Sequence, residues 1–159
     1  MRNLWMLVRH LFAILVLPFV MAGMIPHWIQ GRNPPHGTTI EMIAGSLIFA
    51  AGFGLFLWCL SLFAFRGKGT LAPWDPPKHL VIVGPYVYMR NPMITGVITM
   101  IIGQAVYHRS LPVALWAAAF FVFNQIHFLV NEEPGLERRF GEEYREYKRR
   151  VPRWFPRFR

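Results

Sequence analysis

Only one cysteine, Cys59, occurs in the chain, and it falls inside a long apolar run. An intrachain disulfide and a cysteine-based metal cluster are thereby excluded; no metal is expected, and the thiol is read as a packing residue. Charge is scarce as well: 16% of residues are charged, where a soluble domain carries nearer about a quarter. Acids are scarcest, eight against 17 Lys and Arg, which leaves a formal net charge of +9 over 159 residues. What fills the chain instead is hydrophobic, 54% of residues, gathered into long runs between short polar connections. That distribution is the mark of an integral membrane protein.

Four runs stand out. Leu11 to Ile29 is uncharged over 19 residues, is interrupted by Pro18, and ends in the interfacial pair His27 and Trp28. Ile40 to Phe65 spans 26 residues with Glu41 as its only charge; Gly45, Gly52 and Gly54 are expected to let another helix approach closely. Met93 to Tyr107 has 15 residues and Leu111 to Val130 has 20, with His108, Arg109 and Ser110 as the tight turn between them. A helix of about 20 residues crosses the hydrocarbon core, so the third run needs help from its flanks. The charged start at Arg2 and Arg9 suits a signal peptide, but no small-residue cleavage site follows, and a retained helix is expected. The fold class is thus all-α and membrane-integral. It comprises about four spans, a folded cytoplasmic loop and a C-terminal amphipathic helix, in one domain divided at 1–65, 66–92, 93–130 and 131–159.

The basic residues set the orientation. Arg66, Lys68, Lys78 and Arg90 lie in the 66–92 connection and nine more Lys or Arg follow Val130, while the 30–39 and 108–110 connections hold one each. The positive-inside rule places both termini and the middle loop in the cytoplasm, as in a bacterial-type inner membrane protein. Positive charge beside membrane helices suits anionic lipid head groups, and no nucleic-acid partner is expected.

The stretch "GPYVYMRNPMITG", Gly84 to Gly96, joins the loop to the third run. Asn91 is a favoured N-cap and Pro92 a favoured first helical residue. A helix start offers free backbone N–H groups and the positive dipole end to an anion, and Arg90 adds a full charge. Equally, Asn91-Pro92 can merely begin a membrane helix with Arg90 as its interfacial anchor. Upstream, Trp74, Leu80, Val81, Val83, Tyr86 and Tyr88 argue that the Gly- and Pro-rich loop folds over the cytoplasmic helix ends.

On the fourth run, Asn124, His127 and Asn131 recur at i, i+3 and i+7, which predicts a polar face turned to a cavity or bundle interior. Glu132 and Glu133 follow at the predicted helix end, where the dipole disfavours acids. Glu133 is expected to cap the next helix, with Pro134 at its first position, and Glu132 to serve function. Beyond Gly135, Leu136, Phe140, Tyr144, Tyr147 and Val151 line one side of an amphipathic helix lying on the membrane.

"GPYVYMRNPMITG", a helical hairpin, and then "NEEPGLERRFGEEYREYKRRVPRWFP" resemble the cofactor-binding half of the isoprenylcysteine carboxyl methyltransferase and phospholipid methyltransferase superfamily, over roughly Gly69 to Pro156. The resemblance implies a membrane enzyme using S-adenosyl-L-methionine. Carried over position by position, Lys78, His79, Leu80, Val81 and Tyr86 would line the cofactor. Arg90, Asn91, Pro92, Met93 and Ile94 would surround its polar end, and Glu132 would contact it from the fourth helix. Three positions depart from the family: Asn91 stands where His is usual, Ile94 where Tyr is usual, and Phe128 where the eukaryotic prenylcysteine enzymes place a substrate-binding Arg.

The implied reaction is methyl transfer to a lipophilic acceptor entering from the bilayer, isoprenylcysteine carboxyl methyltransferase-like. A carboxylate acceptor needs no base; a lipid amine must be neutral to attack, and His127 is then the candidate base. NADPH-dependent sterol reductases resemble the same region, and a non-catalytic lipid-binding protein would keep the same scaffold.

Overall fold

The computed structural model describes residues 18–31, 36–66, 80 and 82–156, and every regular element within them is helical. A π turn at Val20–Met24 leads into α1 (Ile25–Gln30); α2 (Thr39–Arg66), a short 3-10 turn at Gly84–Val87 and α3 (Pro92–Tyr107) follow. Then come α4 (Leu111–His127), a second π turn at Phe128–Glu132, α5 (Glu133–Phe140) and α6 (Glu142–Arg150). Two helical stretches, Thr39–Leu62 and Leu111–Phe140, are long and apolar enough to cross a membrane. At 16 residues α3 rises roughly 24 Å, less than the ~30 Å hydrocarbon core.

α2 and α3 run antiparallel with glycine facing glycine at two levels. A Cβ on Gly52 would lie 2.7 Å from the Gly96 carbonyl oxygen, and one on Gly96 2.8 Å from that of Gly52. Seven residues along each helix, Gly45 and Gly103 repeat the arrangement at 2.6 and 2.8 Å. Small residues let backbones touch where lipid supplies no hydrophobic drive for helices to associate. Gly54 corrects the sequence expectation, since nothing lies within 4 Å of a Cβ there. Two positions beyond Gly52, it points away from the seam.

The first helical segment is joined to the hairpin by carbonyls that its own sequence liberates. Pro26 has no N–H, so the Ala22 carbonyl loses its i+4 donor. The Ile25 N–H turns back to Val20, one residue further than an α-helix requires, and frees Met21. Both oxygens are taken from neighbouring helices: Gln104 Nε2 donates to Ala22 at 2.5 Å and Trp116 Nε1 to Met21 at 2.9 Å. Gln104→Leu keeps the shape but orphans the Ala22 carbonyl. It is expected to cost ~1–3 kcal/mol, read as a lowered melting temperature in detergent.

The α3–α4 turn forms at the expected residues. Arg109 adopts φ 49°, and the Ser110 hydroxyl accepts from the Val113 N–H at 3.4 Å. The expected end of the fourth helix does not occur. The π turn Phe128–Glu132 carries the chain past Val130 into α5 without a break, because widening by one residue accommodates Pro134. The break comes at Gly141, φ 57°, and divides the expected single amphipathic helix into α5 and α6. Its apolar side is as expected: Tyr144, Tyr147 and Val151 are buried together, with Leu80, Leu136 and Phe140 packed against them.

Candidate active site

The segment between the 3-10 turn and α3 is held from the far end of the chain. The Arg90 N–H donates to the Pro152 carbonyl at 2.9 Å and the Asn91 N–H to that of Arg153 at 3.1 Å. Tyr147 donates its hydroxyl to the Tyr86 carbonyl at 2.7 Å. Burial pushes the Tyr147 phenol well up, so it remains a donor at neutral pH. Tyr86 is buried beside Cys59, Tyr147 and Glu132. Burial, reinforced by those neighbours, holds its phenol well above the ordinary tyrosine range.

Glu133 is the electrostatic centre of this assembly. Its Oε1 accepts from Arg90 Nη1 at 2.6 Å and from Arg153 Nη2 at 2.6 Å, and Lys148 Nζ lies 3.1 Å from its Oε2. The side chain is 6% exposed, against 10% for Arg90 and 14% for Arg153. Arg90 also donates through Nε to the Val151 carbonyl at 3.0 Å. Expected as a helix cap, Glu133 makes no capping bond, because three cations compete successfully for its two oxygens. Arg90 is committed to this network and positions the turn.

Glu132, half-buried one residue earlier, has neither a hydrogen bond nor an ion pair among the described residues. At the start of α3, Thr95 N–H is satisfied by the Asn91 carbonyl and Pro92 has no N–H to offer. The Met93 and Ile94 N–H groups have no acceptor among the described residues, and the Asn91 side chain caps none of them. Asn91 is thus an N-cap by position only. Side chains of Met93 and Ile94 pack towards the core, so what these residues present outward is backbone. One cluster therefore holds donors with nothing to bind and a carboxylate with nothing bound to it.

The remaining sequence candidates fall elsewhere or beyond view. Lys78, His79 and Val81 lie outside the described residues, as does Trp74. Leu80 packs on the Tyr144–Tyr147–Val151 cluster. His127 faces outward: its ring stacks on exposed Phe123 at 6.2 Å and its Nδ1 pairs with Asn131 at 3.3 Å. Of the expected polar face only Asn124 is buried, where it donates to its own helix at Phe120. Sequence reasoning missed Arg153, Gln125 and Trp154. Trp154 donates to Gln125 Oε1 at 2.6 Å and sits against Phe121 and buried Phe128. No periodicity marks these contacts.

The scaffold is all-helical, with two stretches long and apolar enough to cross a membrane, an open start to α3 and an unpaired carboxylate at Glu132 among the described residues. Residues 40–143 match the family model for phospholipid methyltransferase, and the chain belongs to that family. No curated protein and no solved structure matches it. The chain is an S-adenosyl-L-methionine-dependent methyltransferase of the membrane, acting on lipid. The matched span includes the α3 start and both glutamates but stops short of Tyr144, Tyr147 and Arg153.

The residues present fit the cofactor. Free Met93 and Ile94 amides suit its carboxylate, and unpaired Glu132 suits its positive groups.

Proposed function

We propose that the chain transfers a methyl group to the amine nitrogen of a membrane lipid, with Tyr86, Asn91, the Met93 and Ile94 amides and Glu132 holding the cofactor. Bound S-adenosylmethionine supplies a methyl group already activated on a sulfonium, so the protein's task is alignment in a dry pocket. Glu132 carries the proposal: a half-buried carboxylate beside a fully engaged Glu133, with no cation of its own. Such a group attracts cationic ligands and accepts the proton that an amine sheds on methylation.

A carboxylate acceptor, as in isoprenylcysteine methylation, would need a cation here. Arg90 and Arg153 are both consumed by Glu133, and the Phe128 position is apolar and buried against Trp154. The amine is therefore the better acceptor. We further propose four spans with both termini and the 66–92 loop cytoplasmic, on the distribution of Lys and Arg.

Purified protein in detergent, given tritiated-methyl S-adenosylmethionine, is expected to label an amine-headgroup phospholipid in base-stable form. Label released by base as methanol would identify a methyl ester and sink the amine assignment. Glu132→Lys is expected to abolish S-adenosylmethionine binding in calorimetry; retained affinity would remove Glu132 from the site.

A further inference from the structure

The two π turns share one construction, and only one of them is filled. "VMAGMIP" and "FLVNEEP" each place a π turn one residue before a proline, at Pro26 and Pro134. In both, the N–H of the residue before the proline reaches back five positions, Ile25 to Val20 and Glu133 to Phe128. The carbonyl at the second residue of the turn then has no helical donor left. Its i+4 N–H is diverted and its i+5 position is the proline. In the first turn that carbonyl, Met21, receives Trp116. In the second the equivalent carbonyl, Leu129, receives no donor from outside its own helix among the described residues. Helical carbonyls point along the axis towards the following turn, so the Leu129 oxygen is directed to the turn bearing Glu132 and Glu133.

We propose that the Leu129 carbonyl is a ligand-binding group of the active site: with the Glu132 carboxylate, it receives an N–H of an ammonium or amine. The inference rests on the function proposed above and adds a backbone acceptor to it. Two ligands offer that chemistry, the cofactor's α-ammonium and the amine headgroup of the acceptor lipid. A neutral acceptor paired with a carboxylate holds a cation by direction as well as by charge. Pro134 is the residue that keeps the acceptor open.

Pro134→Ala tests this directly, because the π turn exists to accommodate the proline. Without the proline the turn is expected to relax to α-helix, which returns the Glu133 N–H to Leu129 and fills the carbonyl. S-adenosylhomocysteine, its analogue lacking the α-amino group, an amine-headgroup phospholipid and its trimethylated counterpart are titrated against wild type and variant. If the cofactor supplies the N–H, S-adenosylhomocysteine binds on the order of tenfold more weakly to the variant while the desamino analogue is unaffected. If the acceptor supplies it, the amine lipid loses about tenfold and the trimethylated lipid nothing. Unchanged binding of both N–H-bearing ligands means that the carbonyl is simply hydrated, and overturns the inference alone. Wild-type protein that binds none of the four removes the proposed function and this inference with it. Pro134→Ser removes the same proline, so the expectation does not depend on one variant's folding.

Discussion

Glu133→Ala is expected to lower the melting temperature of the detergent-solubilised protein by roughly 10 °C, the equivalent of ~3–5 kcal/mol. The carboxylate accepts from Arg90 and Arg153 at 2.6 Å each and lies 3.1 Å from Lys148. Removing it leaves two nearly buried guanidinium groups facing one another without a counter-charge. Arg90 would lose its hold on the turn, and the Pro152 and Arg153 carbonyls would lose the fixed Arg90 and Asn91 donors. Glu132→Gln, one residue away, is expected to leave the melting temperature close to wild type, because no group among the described residues depends on that carboxylate. Thermal denaturation of the two variants side by side measures the difference. Equal melting points would mean that the three cations are solvated rather than organised by Glu133.

Gly52→Ala and Gly54→Ala are expected to act in opposite directions although two residues apart. At Gly52 the added methyl meets the Gly96 carbonyl oxygen at 2.7 Å and the Met100 nitrogen at 2.8 Å. Neither is the end of a flexible side chain, so α2 and α3 must separate, at ~1–3 kcal/mol. At Gly54 the methyl meets nothing, and removing a mid-helix glycine stabilises by about 0.5–1 kcal/mol. Melting temperatures in detergent report both. A tolerated Gly52→Ala would show that the glycine seam does not hold the two helices together.

This pair of glycines also marks how far the chain's architecture was legible in sequence. Composition exposed the second and third apolar runs nearly to the residue, because a bilayer demands long uncharged runs whatever the neighbours are, but not that the fourth continues past Val130. It exposed the capacity of Gly45 and Gly52 for close approach but not their partners Gly96 and Gly103, since the pairing belongs to two helices at once. Gly54 carries the same local signal on a different face, and only helix azimuth against a known partner separates them.

Pro134 misled for a related reason. A proline after two acids resembles a fresh helix start, and the cost of continuing through it is what a sequence suggests. One extra residue per turn lowers that cost, and the same device precedes Pro26. At the site, the open start of α3 and the oddity of Glu132 followed from capping rules and the helix dipole. The roles of Glu133, Arg153 and Tyr147 did not follow, because each acts on a residue more than a helix hairpin away.

The bond from Tyr147 to Tyr86 and that from Arg90 to Val151 each bridge 61 residues of chain. At a ribosome's pace of ~5–20 residues per second, those partners are made roughly 3–12 s apart. During that interval α2, α3 and α4 can pair, while the turn before α3 still waits for its fastenings. Fastening that turn is therefore a late event in synthesis, and a chain stalled before Tyr147 would carry its paired helices without the bonds that hold the turn in place.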